Sequence, residues 1–359
     1  MAQRVANQKI SATAIGVMSG TSLDGLDLCL ANFNLKEGKW SYSLKKAQTI
    51  SYHDGLRDAL RASMNMSGRE LMTLDANYGV WIGKQVAEFT QGETDSIDLI
   101  GSHGHTVFHE PANGFSTQIG SGAHIAANAG IACVCNFRMG DVARRGQGAP
   151  LVPIGDELLF SDFDFCLNIG GIANISYREE GIRAAYDVCP VNMAANHFAN
   201  ILGYEYDNGG RLGEKGRISE PLLNELNSLD YYKLKGAKSL GREWFDKTFL
   251  TKTQGFDLCP EDVLRTIYEH AATKISDILV QKPHGKVLVT GGGAKNTFLI
   301  NLLKGKCQAE IYLPCEQTID FKEALIFAFL AVLYNHKINS SLGSATGAKC
   351  SSIAGSLYY

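Results

Sequence analysis

A chain of 359 residues is long for one compact domain and comfortable for two, and a hydrophobic content of 45% lets each bury a core. The formal net charge is -3, and no run of like charges exceeds a pair such as Arg144-Arg145, which excludes a polybasic membrane patch and a nucleic-acid surface. The opening stretch MAQRVANQKISATAIGVM has no apolar core of signal-peptide length, nothing later approaches about 18 unbroken apolar residues, and nine scattered cysteines lack any C-x-x-C, so a cytosolic protein with reduced thiols and no membrane partner is expected.

In chain order, residues 14–33, AIGVMSGTSLDGLDLCLANF, form a β-rich run broken by Gly and small polar residues, then a second strand. This is the pattern of a hairpin whose turn needs close backbone approach. Ser67 and Glu70 make a capping-box pair, after which Leu71, Leu74, Tyr78, Trp81 and Ile82 recur at helical spacing. A strand at 97–101, a loop rich in His and Gly, the segment AHIAANAG and the strand IACVCNF follow. Residues 165–188, FCLNIGGIANISYREEGIRAAYDV, repeat the hairpin layout about half a chain later, which implies an internal duplication and two similar lobes with a cleft. Helices are expected at 193–202 and 221–226, and another where Pro260 suits a first turn beside Glu261 and Asp262. KVLVTGGGAKN reads as strand, turn and helix start, EIYLP as a strand, and 321–335 as a last long helix before a Gly/Ser/Ala-rich tail. Alternating strands and helices place both lobes in the α/β class with mixed sheets.

Three glycine clusters carry the chemistry. In SGTSLDGLD, the residues Ser19, Gly20, Thr21 and Ser22 offer backbone N–H groups and hydroxyls at one bend, and Asp24 and Asp27 follow where a carboxylate can hold hydrated Mg²⁺ beside phosphates. An ordinary Gly-Asp hairpin turn has the same composition, and the absence of G-K-[ST] separates the segment from a Walker A loop. Gly170 and Gly171, with Asn174 three residues on, supply a matching bend. Gly291, Gly292 and Gly293 end a hydrophobic strand and open a helix, with room for a flat ring or ribose. Three such clusters in this order point to a bound nucleotide. His103, His105 and His109 also resemble the opening of some metal-hydrolase sites, although no partner ligand set accompanies them. Asp320 and Glu323 have the spacing of a capping box ahead of ALIFAFLA.

The order SGTSLDG, SHGHTVFHEP, QIG, FR-x-x-DVA-x-x-GQGAPLVP, LNIGGIANIS and TGGGAKN resembles the anhydro-N-acetylmuramic acid kinases, of the sugar kinase, Hsp70 and actin superfamily, over nearly the whole chain. The resemblance implies a two-lobed actin-like ATPase fold of duplicated RNase H-like domains around a central cleft, with lobes at 1–132 plus 336–359 and at 133–335. It implies ATP and Mg²⁺ as cofactors. Water would open 1,6-anhydro-N-acetylmuramic acid while the freed sugar oxygen takes the γ-phosphoryl group, as in cell-wall recycling. Asp141 becomes the base for that water. His103, Thr106, Arg138, Asp187 and Glu323 become sugar-side residues, Gly170, Gly171 and Asn174 cover the phosphates, and Gly291 to Gly293 the adenosine. Homodimers are the family's assembly.

Some positions depart from the family pattern. Tyr-Asp-Thr-Gly-Pro-Gly-Asn is here Tyr186-Asp187-Val188-Cys189-Pro190-Val191-Asn192, Gly-Asp-Phe-Arg is Cys135-Asn136-Phe137-Arg138, Arg145 replaces a Gly and His105 a Gln. These changes leave room for a same-fold kinase of another sugar, or for a non-catalytic sugar and ATP sensor.

Overall fold

The computed structural model describes residues 9–20, 23–236 and 238–359, so Thr21 and Ser22 lie outside the described residues. Its strands are β1 (Ile10–Ser19), β2 (Leu26–Lys36), β3 (Lys39–Ile50), β4 (Leu99–Ser102), β5 (His105–Glu110), β6 (Phe115–Ile119), β7 (Cys133–Cys135), β8 (Phe165–Ile169), β9 (Ile172–Glu179), β10 (Ile182–Pro190), β11 (Lys286–Thr290), β12 (Glu310–Tyr312) and β13 (Ser356–Tyr358). The chain forms two units, residues 1–159 with 321–359 and residues 160–320.

The first unit's main sheet runs β13-β7-β4-β1-β2-β3, and the second unit's runs β10-β9-β8-β11-β12. In the first, β1, β2 and β3 pair antiparallel while β4 and β7 join parallel to β1 and to each other. In the second, β8, β9 and β10 pair antiparallel while β11 and β12 continue parallel. One order of five strands and one sequence of pairings therefore occur twice, with β13 added to the first sheet: the duplication anticipated from the two hairpins, in the RNase H-like α/β form that the resemblance implies.

Each sheet is fixed by a separate core. Ile15, Val17, Leu26 and Leu28 pack with Tyr78, Ile82 and Val86 of the helix Gly68–Phe89. Phe165, Leu167 and Ile169 pack with Leu264, Ile267, Ala271 and Ile275 of the helix Pro260–Leu279. The capping box closes as expected, the Ser67 N–H donating to Glu70 at 2.8 Å.

The helix Glu316–Asn335 begins five residues before the expected 321, so Asp320 and Glu323 lie inside it and form no cap. Lys295 instead pairs with Glu316 at 3.2 Å and Asp320 at 2.7 Å. From Ala324 to Leu333 every residue is buried, the signature of a helix apolar on all sides. It lies directly on the first sheet because Gly16 and Gly101, register partners on β1 and β4, have no side chains there. A Cβ on Gly16 would overlap the Ala324 carbonyl, and one on Gly101 the Phe327 carbonyl.

The expected lobe boundaries therefore shift. β7 pairs with β4 and β13 with β7, so residues 133–159 belong with the first sheet, as does the helix from Phe321 onward. The loop rich in His and Gly is a β5–β6 hairpin. The C-terminal tail is not loose either: β13 extends the sheet, and Ser340 and Ala354 exchange hydrogen bonds at 2.8 and 3.0 Å.

Candidate functional site

The first unit places the SGTSLDG bend between β1 and β2. Leu23 is buried at φ 60°, and Gly25 is needed because a Cβ would press on Thr49 at 2.7 Å and the Ile50 carbonyl at 2.8 Å. Asp27 accepts from the Thr49 hydroxyl at 2.6 Å, whereas Asp24 is exposed. Ser19 is 2% exposed and its hydroxyl faces inward, so only its backbone is left for a ligand at the bend. Among the described residues no group of three or more His, Cys, Asp or Glu gathers as a metal cage. A magnesium ion held by one or two carboxylates with substrate phosphates needs no such cage, and exposed Asp24 fits that donor chemistry.

Beyond β4, a charged cluster forms around Arg138. Its Nε and Nη2 donate to His103 Nε2 at 3.1 and 2.8 Å, and its Nη1 to the Gly148 carbonyl at 2.9 Å. His103 in turn donates from Nδ1 to the Gly104 carbonyl at 2.8 Å and packs on Phe327 at 4.7 Å. Burial, then the Arg138 charge, holds His103 well below the usual histidine range, so it is a neutral acceptor that aims the guanidinium. Desolvation also lowers Arg138 to about 10, opposed by Glu323. Glu323 remains open to solvent yet crowded by neighbours: desolvation pushes its carboxyl up, Arg138 and Lys322 pull it down, and Asp27 pushes it up.

The β5–β6 hairpin adds Thr106, which accepts from Gln118 Nε2 at 3.4 Å, and His109, paired with Ser116 at 3.0 Å. Gln118 Oε1 and Ser102 Oγ are buried with no hydrogen-bond partner among the described residues, a state that asks for a ligand or water.

Asp141 is 0% exposed in the short helix Met139–Val142. Its Oδ2 accepts from the Gly148 N–H at 2.8 Å and its Oδ1 from the Thr346 hydroxyl at 2.7 Å. Gly146 leaves room for that carboxylate, which a Cβ would strike. No ion pair to Arg138 or Arg144 involves Asp141 among the described residues; Arg144 caps the Gly140 carbonyl instead. Arg145 sits at φ 66° and Asn136 at φ 58°, both in the left-handed region. A glycine is the natural occupant at Arg145, and Asn is the side chain that best tolerates the other site.

In the second unit the glycine clusters converge at the ends of β8 and β11. Asn192 lies beside both: its Nδ2 donates to the Ile169 carbonyl at 3.3 Å and its N–H to the Gly170 carbonyl at 3.2 Å, and the same Nδ2 would lie 3.6 Å from a Cβ on Gly292. Gly291, at φ 82°, and Gly293 are demanded by packing, since a Cβ would meet Asn168, 2.5 Å away for Gly291, or Ile169. Gly170, Gly171 and Gly292 are different. A Cβ there meets nothing closer than 3.5 Å, so no contact inside the protein requires their smallness. Asn174 stands in register between Asn168 and Asp187, one strand to either side, and Thr290 extends the row with a buried hydroxyl that has no partner among the described residues. Asp187 tethers the following segment, accepting from the Leu240 N–H at 2.8 Å. The departures Val188, Cys189 and Val191 point into the second core and alter its packing.

Sequence reasoning did not single out Gln118, Asn168, Asp156 or Lys322. Gln118 was visible only inside QIG. Asp156 and Lys322 form a buried ion pair at 2.6 Å that has no local signature.

A family model described as anhydro-N-acetylmuramic acid kinase matches residues 12–359. The anhydro-N-acetylmuramic acid kinase of Sulfurovum sp. (strain NBC37-1) is 34% identical, covering 96% of this chain and 98% of that protein. The protein of that name from Mannheimia succiniciproducens is 36% identical over 93% of this chain and 96% of its own length. Among solved structures, a ROK family glucokinase from Streptomyces griseus in complex with glucose and AMPPNP aligns with a TM-score of 0.42 and 12% identity, covering 89% of this chain and 99% of that one.

Proposed function

Because the chain belongs to the family of anhydro-N-acetylmuramic acid kinases, and is thereby a sugar kinase, we propose that it uses MgATP to open 1,6-anhydro-N-acetylmuramic acid with water and to phosphorylate O6. The products are N-acetylmuramate 6-phosphate and ADP, a step of peptidoglycan recycling in the cytoplasm. The observation that carries the nucleotide half is the trio Gly170, Gly171 and Gly292, gathered at two strand ends and small for no internal reason. Space that the protein keeps clear and does not fill is what a polyphosphate approaching backbone requires.

In this reading Gly20, Thr21 and Ser22 offer phosphate contacts, Gly170, Gly171 and Asn174 offer others, and Gly291 to Gly293 border the adenosine. Asp24, with Asp27, would hold Mg²⁺, which would supply neutralising charge to the phosphates. On the sugar side Arg138, aimed by His103, and Glu323 and Thr106 orient hydroxyls and the lactyl carboxylate, while Asp187 steadies the second unit's edge. Asp141 accepts a proton from water as the water oxygen bonds to C1 and the C1–O6 bond breaks. The O6 electron pair forms the new bond to the γ-phosphorus, and the bond to the β-phosphate oxygen leaves with ADP. The chain's own work is positioning and charge placement. Pairing as a homodimer is carried over from the family, and light scattering should then give twice the chain mass.

Incubation with MgATP and the anhydro sugar tests the reading: ADP release should match a product heavier by water and phosphate, and sugar-independent or absent ADP release would refute it. Glycine substitutions test the nucleotide half. Gly292→Ala and Gly170→Ala should leave the Tm within about 2 °C and raise the KM for ATP about tenfold, the effect of roughly 1.4 kcal/mol. Gly291→Ala should lower the Tm by several degrees, since its φ and the Asn168 contact both oppose a side chain. Unchanged ATP kinetics in both clear-space variants would remove those bends from the site.

A further inference from the structure

The bend at Gly20 is rooted in a line of buried hydroxyls that none of the assigned roles uses. Tyr52 donates to Ser19 Oγ at 2.9 Å, the Tyr52 and Tyr78 hydroxyls lie 2.9 Å apart, and Ser19 Oγ is 3.3 Å from His105 Nδ1. All four side chains are at most 5% exposed. Each hydroxyl owns one proton. Tyr52 gives its proton to Ser19, so Tyr78 donates to Tyr52. Ser19 donates onward to His105 Nδ1 when the imidazole carries its proton on Nε2. Burial lowers the His105 pKa, in keeping with a neutral acceptor at the end of the line.

The line joins four separate pieces of the first unit. Ser19 is the last residue of β1, Tyr52 follows β3 by two residues, Tyr78 lies on the helix Gly68–Phe89, and His105 begins β5. Ring packing fixes the two tyrosines, Tyr78 stacking on Trp81 at 5.9 Å and Tyr52 lying 5.5 Å from the same ring. The end of β3 thus holds the bend on both flanks: Thr49 and Ile50 abut Gly25 and Asp27 on one side, and Tyr52 grips Ser19 on the other.

We propose that Tyr52 is a positioning residue for nucleotide binding, setting through Ser19 the direction in which the Gly20 backbone meets a phosphate, with Tyr78 behind it and His105 as terminal acceptor. This rests on reading SGTSLDG as a phosphate bend. The Ser19 hydroxyl is already engaged by Tyr52 and His105, so that side chain's service is to the backbone beside it. A rigid root keeps the bend in binding geometry before the nucleotide arrives.

The test is steady-state kinetics on the full chain, with KM measured separately for MgATP and for the anhydro sugar. Tyr52→Phe should raise the MgATP KM about tenfold, the fold-change of one lost hydrogen bond, while the sugar KM stays within twofold. His105→Leu, which removes the acceptor, should act in the same direction, and His105→Gln, whose side-chain carbonyl can accept from Ser19, should restore the wild-type MgATP KM. If Tyr52→Phe does not fold, Tyr78→Phe reads the line one step back and should raise the MgATP KM two- to threefold. An unchanged MgATP KM in Tyr52→Phe and His105→Leu, or equal rises in both KM values, overturns the proposal. A wild-type chain whose rate does not saturate with MgATP overturns the phosphate bend itself, and the positioning role with it.

Discussion

Asp141→Asn is expected to lower turnover by about 10²–10⁴-fold, the range of a lost general base, while ATP affinity stays within twofold. The geometry makes this substitution a clean one. Asp141 accepts one hydrogen bond at each oxygen, from the Gly148 N–H at 2.8 Å and the Thr346 hydroxyl at 2.7 Å, and each oxygen keeps a second accepting direction. An Asn turned with its oxygen toward Gly148 keeps the backbone bond. Its NH₂ then faces Thr346, whose hydroxyl can donate instead to the Leu342 carbonyl at 3.2 Å. The loop therefore survives while the acceptor for a water proton is lost. Thr346→Val is the counterpart, removing a donor and leaving the carboxylate. It should cost about 1–3 kcal/mol of stability and far less turnover than Asp141→Asn. Rapid-quench turnover and nucleotide titration on both variants decide the matter. Full activity in Asp141→Asn would reduce this carboxylate to an anchor for the Gly146–Gly148 loop.

The legible part of the molecule was what lies close in sequence. A strand, a glycine bend and a second strand recur in 14–33 and 165–188, and the recurrence foretold a duplicated sheet order. Ser67 with Glu70, and Pro260 at a helix start, act within one turn and were found correctly. Helix 316–335 was begun too late because Asp320 and Glu323 imitate a cap, whereas the first turn closes on the Cys315 carbonyl, which accepts from the Thr318 and Ile319 N–H groups at 2.9 and 3.1 Å. The long β3 escaped notice because a sheet-edge strand rich in Lys, Ser and Gln has only a weak apolar alternation. β13 has three residues and exists through its pairing with β7.

The site divides the same way. Glycines and acids inside motifs could be named from the sequence, yet their duties could not. Ser19 looked like a phosphate hydroxyl and is instead turned into the core. Gly291 and Gly292 are adjacent and identical in type, but only the first has a packing reason to be glycine. Residue chemistry proposes a role, and neighbours distant in the chain assign it. The bonds from Asp141 to Thr346 and from Lys322 to Asp156 are of that long-range kind.

The second large effect concerns that last pair. Asp156 and Lys322 meet at 2.6 Å with side chains 4% and 5% exposed, and they sit where the chain leaves the first unit after Leu159 and returns to it at Phe321. Lys322→Met removes one charge of a poorly solvated ion pair and should lose about 3–5 kcal/mol in denaturant unfolding. Asp156→Leu with Lys322→Met should be clearly more stable than Lys322→Met alone, because the second substitution takes the other buried charge out of the same place. Activity should not recover in step. Burial raises the Glu323 carboxyl while Arg138 and Lys322 lower it, and without Lys322 the carboxyl rises further. A group whose pKa rises is protonated over a wider acid range. The acid limb of the pH–rate profile should therefore move to higher pH in both the single and the double variant, whatever their stability. If the limb tracked stability instead, returning to its wild-type position in the double variant, Glu323 would have no ionised part in binding the sugar. If Lys322→Met cost under 1 kcal/mol, the pair would be dispensable where the chain enters and leaves the first unit.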